Sequence, residues 1–108
     1  MFAHTDFDDH EQVVHVSDAE TGLRGVIAIH STAIGPALGG CRIWTYEAEE
    51  DAVTDVLRLS RGMSLKAALC GLRLGGGKSV ILLSPGQPKT PEMMRSMGQA
   101  VQRLCGRY

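Results

Sequence analysis

Polar and apolar positions change period several times along the chain, and each change marks an element. Glu11–Ser17 (EQVVHVS) gathers Val13, Val14 and Val16 into a short β-branched run, which predicts a strand. Asp18 to Gly22 (DAETG) supplies a turn closed by glycine. Leu23–His30 (LRGVIAIH) becomes apolar on both faces toward its end, which predicts a second, buried strand. So short a connection makes the two an antiparallel hairpin. Gly25, inside the second strand, is a candidate bulge. Ser31–Arg42 (STAIGPALGGCR) is dense in Gly and Pro and reads as a loop, with a third short strand expected at Ile43–Tyr46.

The period then becomes helical. Thr45 or Tyr46 stands at the N-cap, and Glu47, Glu49, Glu50 and Asp51 fill the first turns, where the helix dipole favours acids. Val53, Val56, Leu57 and Ser60 form a core stripe, and the pattern resumes through Met63–Cys70 to stop at Gly71, with Gly62 a candidate kink between two helical pieces. Leu59, Met63, Lys66 and Cys70 share one face, which puts a lysine on an otherwise apolar surface. Gly71–Lys78 (GLRLGGGK) reads as a Gly-rich bend, Ser79–Leu83 as a buried strand and Ser84–Lys89 as a turn. Thr90, Pro91 and Glu92 open a last helix as N-cap, N1 proline and first-turn acid. Met94, Met97, Val101 and Leu104 form its apolar stripe, and Gly106 ends it. This order predicts an α/β domain: a mixed sheet with flanking helices.

Composition narrows the class. With 108 residues, 44% of them hydrophobic, the chain is one domain with a packed core. No apolar run approaches the roughly 18 residues of a membrane-spanning helix. The first 20 residues hold six acids and no Lys or Arg, the reverse of a signal peptide's basic start. Cys41, Cys70 and Cys105 are odd in number and lack ligand spacing, so they read as reduced thiols of a cytoplasmic protein. His15 and His30 lie on predicted strands without partners at metal-ligand spacing; both read as structural or exposed, and no metal is expected.

The net charge of −1 hides an asymmetry. Residues 1–55 hold eleven acids and two bases, whereas residues 56–108 hold nine bases and one acid. Such a split suits a nucleic-acid face, an anionic-substrate site, or two halves that attract each other. The basic half has a single Phe, Tyr or Trp, namely Tyr108, which argues against a base-stacking platform. Neither nucleic acid nor membrane is expected as a partner.

Only three of the eleven bases are lysines, Lys66, Lys78 and Lys89. An ammonium can lose its proton near neutral pH when desolvated, and a guanidinium cannot. Gly75-Gly76-Gly77-Lys78-Ser79 is not a phosphate-binding loop. The position six before Lys78 is Leu72 rather than Gly, and a strand rather than a helix follows. The dinucleotide fingerprint G-x-G-x-x-G has no match either. Three bare glycines ahead of a lysine place it against a cavity, and Lys66 stands beside Met63 on the neighbouring helix. Two lysines converging on one pocket suit a carboxylate substrate, one holding the anion and the other serving as general base. The same residues equally fit a Gly-rich bend ending in a solvated lysine. Gly35–Gly40 (GPALGG) fits a close approach to a ligand or a tight turn between sheet elements.

His30–Trp44 (HSTAIGPALGGCRIW) and Leu57–Leu82, with RGM-x-x-K and GLxLGGGK in this order, resemble the N-terminal segment of the Glu/Leu/Phe/Val amino-acid dehydrogenase family, on the leucine, valine and phenylalanine dehydrogenase side. The resemblance runs from about Leu23 to the end. It implies oxidative deamination of a branched-chain or aromatic L-amino acid to a 2-oxo acid and ammonium, with NAD as cofactor. It implies that Lys66 binds the substrate carboxylate and Lys78 is the catalytic lysine. Gly39 and Gly40 would bring backbone to the substrate, and Leu38 and Met63 would line its side-chain pocket. Cys41 stands where Thr is usual, and Leu65 where an aromatic is common. The family's members are considerably longer. On this reading residues 1–108 are the first segment of the substrate-binding and dimerisation domain, a homo-oligomer is expected, and the NAD-binding Rossmann domain lies outside them. The segment alone is then inactive; the rival is a non-catalytic oligomerisation or binding module.

Overall fold

The computed structural model describes residues 1–108, which form one five-stranded mixed sheet with a helix against each face. The elements are β1 (Gln12–Asp18), β2 (Leu23–Ser31), β3 (Ala37–Leu38), β4 (Cys41–Thr45), α1 (Glu49–Leu69), β5 (Gly75–Leu83) and α2 (Pro91–Gln102). β1 and β2 are the expected antiparallel hairpin, in register from Gln12 opposite Ile29 to Asp18 opposite Leu23. Gly22 makes its turn at φ 76°. β2 then pairs antiparallel with β5, whose far edge takes β3 and β4 in parallel. The sheet is therefore centred on a strand from the second half of the chain.

Alternation along the strands builds two cores. Val26, Ala28, Val80 and Leu82 face α1 through Ala52, Val53, Val56 and Leu57. Leu23, Ile27 and Ile81 face α2 through Met93, Met97 and Ala100. Covered on both sides, β2 and β5 read as near-continuous apolar runs. The expected bulge at Gly25 is absent; the register shifts between Ile29 and Ser31. Gly25 is small for another reason. A Cβ there would meet Val16 Cγ2 and the Val80 carbonyl at 3.1 Å and Met97 Sδ at 3.3 Å.

Other expectations are corrected by packing. α1 runs unbroken through Gly62, which faces open space. Its N-cap is Ala48, with no side-chain cap, rather than Thr45 or Tyr46, because β4 holds Thr45 in the sheet. The strand expected at Ile43–Tyr46 lies at Cys41–Thr45 and is the fourth, because Ala37–Leu38, inside the expected Ser31–Arg42 loop, pairs with β5 as β3. α2 begins as predicted, with the Thr90 hydroxyl accepting the Met93 N–H at 3.2 Å, a cap that contributes about 1 kcal/mol. Its buried stripe is Met93, Met97 and Ala100: Met97 is as predicted, Val101 and Leu104 are only partly buried beside it, and Met93 takes the place of Met94, which is partly exposed.

Residues 1–10 are clasped to α1, and the charge asymmetry is partly spent there. Asp6 pairs with Arg58 at 2.9 Å and Asp8 with Arg61 at 3.3 Å, while Glu11 meets Arg107 at 3.0 Å. The two halves attract each other. His10 lies beneath the clasp, buried at 6% exposure. Its Nδ1 accepts the Asp8 N–H at 3.1 Å, so the proton sits on Nε2, which lies 3.0 Å from the Leu57 carbonyl and 3.1 Å from Ser60 Oγ. A second proton would displace the Asp8 N–H. Burial accordingly holds the His10 pKa below the ordinary value of 6.5. The unfolded chain then binds more protons than the folded one as pH falls through 6.5, so stability declines on the acid side. Melting temperature is expected to fall as pH is lowered from 7 toward 5, and His10→Gln to flatten that slope, both read by thermal melts across pH.

Candidate active site

The glycine triplet is not a bare loop over a cavity. Gly75, Gly76 and Gly77 are buried residues of β5, and the chain itself lies over each of them. A Cβ on Gly75 would collide with the Ser31 carbonyl oxygen. One on Gly76 would collide with the backbone nitrogen and hydroxyl of Ser64 and come within 2.6 Å of the Ser60 carbonyl oxygen, because α1 rests directly on that α-carbon. One on Gly77 would come within 2.6 Å of the Tyr108 ring. These glycines serve close backbone packing.

Strand alternation then fixes Lys78. Val80 and Leu82 face α1 and Ile81 faces α2, so Gly76 and Lys78 belong to the α1 side, Gly77 and Ser79 to the α2 side. β3 sets Leu38 opposite Gly76, and β4 sets Cys41 opposite Ser79. The Gly39–Gly40 stretch between them therefore runs alongside Gly77 and Lys78. A Cβ on Gly39 would overlap the Gly77 carbonyl, and one on Gly40 would lie 3.3 Å from Lys78 Nζ. The tight turn expected of GPALGG is not formed: Ala37 and Leu38 are β3, and Gly39 and Gly40 carry the chain on to β4 in the same register along β5, past the Lys78 ammonium. The Ser79 N–H donates to the Gly40 carbonyl at 3.1 Å and closes the stretch onto β5.

Met63 and Lys66 lie on α1, flanking its buried stripe. Asp55, Leu59, Met63 and Lys66 follow one another at helical spacing along one flank. That flank is the one turned to β4, since Asp55 binds Arg42 at 3.0 Å and the Tyr46 hydroxyl at 2.6 Å. Lys66 therefore leaves the helix on the same side as the Gly39–Gly40 stretch. Its surroundings differ from the apolar face expected for it: Lys66 and Cys70 are exposed, and Leu59 and Met63 only half-buried. Leu38 is 48% exposed. No enclosed cavity covers Lys78. The nearest apolar groove, about 330 Å³, lies behind Gly39 and Gly40 and is lined by Leu38, Cys41, Met94, Val101 and Tyr108.

The ion pairs of the fold are made by arginines and His30, and no lysine enters one. Lys66 and Lys78 remain available to an anion. Sequence reasoning missed the polar groups behind them. His30 Nδ1 lies 2.7 Å from Ser64 Oγ and its Nε2 lies 3.0 Å from Asp8, which ties the clasp to the helix turn over Gly76. Tyr108 contacts Gly39, Gly40 and Ser79. The signal that could have found it is its standing as the one Phe, Tyr or Trp of the basic half. Cys41, Cys70 and Cys105 are free and exposed.

Residues 10–108 match the family model described as Glu/Leu/Phe/Val dehydrogenase, dimerisation domain. The chain belongs to the Glu/Leu/Phe/Val dehydrogenase family. It is 52% identical over 108 residues to leucine dehydrogenase of Bacillus subtilis (strain 168), a match covering 100% of this chain and 30% of that protein. It is 55% identical over 105 residues to valine dehydrogenase of Streptomyces virginiae, covering 97% of this chain and 29% of that one. Among solved structures it superposes on L-tryptophan dehydrogenase from Nostoc punctiforme with a TM-score of 0.86 and 46% identity, over 91% of this chain and 29% of that chain. The chain thus spans about 30% of the length of the Glu/Leu/Phe/Val dehydrogenase relatives it matches. No helix is long and apolar enough to cross a membrane.

Proposed function

We propose that residues 1–108 are the substrate-side and dimerisation domain of an NAD-dependent L-amino-acid dehydrogenase acting on a branched-chain or aromatic substrate, in a cytoplasmic setting and as a homo-oligomer. The observation that carries the reading is an unpaired lysine against a backbone stretch: Lys78 beside Gly40, in a fold where no lysine is neutralised by a carboxylate. In this reading Lys66 holds the α-carboxylate by charge-assisted hydrogen bonds. Lys78 holds or moves a proton at the reacting carbon's substituent. Gly39 and Gly40 admit the substrate close to the main chain, and Leu38 and Met63 meet its apolar side chain. The free, exposed thiols suit a reducing compartment.

The residues present do not fit NAD. A dinucleotide site needs a glycine turn opening a helix whose N-terminus faces the pyrophosphate. Here the glycines lie within a strand and are covered by Ser64 and Tyr108. The cofactor belongs to a second domain, and no hydride step is assigned to these residues. The domain alone offers an open half-site, so the purified 108-residue chain is expected not to reduce NAD with L-leucine, L-valine or L-phenylalanine. Titration with 4-methyl-2-oxopentanoate is expected to move the NMR resonances of Lys66, Lys78, Gly39 and Gly40 together. Assembly of the chain with no such response would favour the non-catalytic module instead.

A further inference from the structure

On the α2 side of β5 lies a polar cluster that the substrate reading does not use. The Tyr108 ring covers Gly77, where a Cβ would sit 2.6 Å from Cδ1 and 3.0 Å from Cε1. Its hydroxyl is 2.9 Å from the Gly40 carbonyl oxygen, 3.3 Å from that of Gly39 and 2.9 Å from Ser79 Oγ. Carbonyls only accept, so the phenol proton goes to Gly40, the shorter of the two contacts, and the Ser79 hydroxyl, 3.4 Å from the same carbonyl, donates to the nearer phenol oxygen. The Gly40 carbonyl also receives the Ser79 N–H at 3.1 Å. One residue earlier, the Arg107 carbonyl accepts the Ala37 N–H at 2.8 Å. Arg107 and Tyr108 therefore hold the β3 end and the Gly39–Gly40 stretch at once. Burial raises the Tyr108 pKa, which keeps the donor protonated at neutral pH.

Gly39 and Gly40 have no side chains and wide backbone freedom, and they lie at the rim of the sheet. Between the β3 and β4 pairings, the Gly40 carbonyl is held by the Ser79 N–H and the Tyr108 hydroxyl. A Cβ on Gly40 would lie 3.3 Å from Lys78 Nζ on one face of the sheet, and the Gly40 carbonyl meets Tyr108 on the other. We propose that Tyr108 is a positioning residue: it clamps the Gly39–Gly40 stretch to β5 and so fixes the backbone against which the Lys78 ammonium stands. The inference rests on the reading of Lys78 and this stretch as part of the substrate site.

Tyr108→Phe keeps the ring over Gly77 and removes only the hydroxyl. In the 108-residue chain without ligand, the variant is expected to melt close to wild type. Hydrogen exchange at the Ser79 amide should be about tenfold faster, while the Val26 and Val80 amides keep their wild-type rates. The Lys78 Cε and Nζ resonances should move as well, which a purely structural phenol would not cause. Tyr108→Ala, which also loses the ring, should give the same two signals with a lower melting temperature. Ser79 exchange and Lys78 resonances left at wild-type values in Tyr108→Phe would overturn the clamp, whatever ligand does. Adding 4-methyl-2-oxopentanoate separates the two ideas. No response at Lys78 in the wild type would overturn the substrate reading. A wild-type response that Tyr108→Phe leaves undiminished would overturn the clamp, which calls for at least about a threefold loss of apparent affinity.

Discussion

Gly76→Ala is expected to be strongly destabilising. The added Cβ would enter the Ser64 backbone nitrogen and hydroxyl and come within 2.6 Å of the Ser60 carbonyl oxygen. Two of these three atoms are main chain of α1, so no rotamer change relieves the overlap. The helix must lift from β5, and with it Val53, Val56 and Leu57 leave Val80 and Leu82. Overpacking of a tight core costs about 1–3 kcal/mol where side chains can adjust. A rigid backbone contact belongs at or beyond the upper end, about 3 kcal/mol or more, which corresponds to a melting temperature lower by on the order of 15 °C. Gly62→Ala is the matched control, because its Cβ would meet nothing within 4 Å. It lies inside α1, where alanine is preferred, so a gain of about 0.5–1 kcal/mol is expected. Equal melting temperatures for the two variants would refute this account of the triplet.

Lys78→Gln is expected to have the largest effect on ligand recognition with little effect on the fold. The side chain enters no ion pair, so its removal leaves no orphaned carboxylate. A charge-assisted hydrogen bond contributes about 1.5–3 kcal/mol, so affinity for a 2-oxo acid should fall on the order of 10- to 100-fold. Lys66→Gln should weaken binding by a similar factor if it meets the carboxylate. An uncharged analogue, the corresponding 2-oxo amide, should be far less sensitive to Lys66→Gln. Titrations of wild type and both variants by NMR or calorimetry, beside their melting curves, test the assignment. Unchanged affinity in Lys78→Gln would remove the residue from the site.

The contrast between these variants shows where the sequence was legible. Periodicity located the β1–β2 hairpin, the Val53–Val56–Leu57–Ser60 stripe and the Thr90 cap, because each is a local pattern with a local cause. It misplaced the glycine triplet, because nothing within the segment reveals that Ser64 and Tyr108, from elsewhere in the chain, would lie on it. The start of α1 was misread for a related reason, since β4 captured Thr45 as a sheet residue. The candidate site divides the same way. The motifs marked Lys66 and Lys78, but only the parallel pairing of β3 and β4 with β5 sets Gly40 beside Lys78. Tyr108 could not be placed from spacing at all, as it is 68 residues from the carbonyl it binds.

The sheet order also has a consequence for how the chain is made. β5 touches β2, β3 and β4, yet all three precede it in the sequence. On a ribosome adding about 5–20 residues per second, Gly75 follows Ser31 by roughly 2–9 s. During that interval the hairpin presents Val26 to Ile29 along an open edge with no partner strand. Long-range pairings of this kind form slowly and leave nascent apolar strands open to other chains. The strand that carries the lysine is therefore also the one that ends the exposure, and changes that delay β5 should show first as lost soluble yield during synthesis.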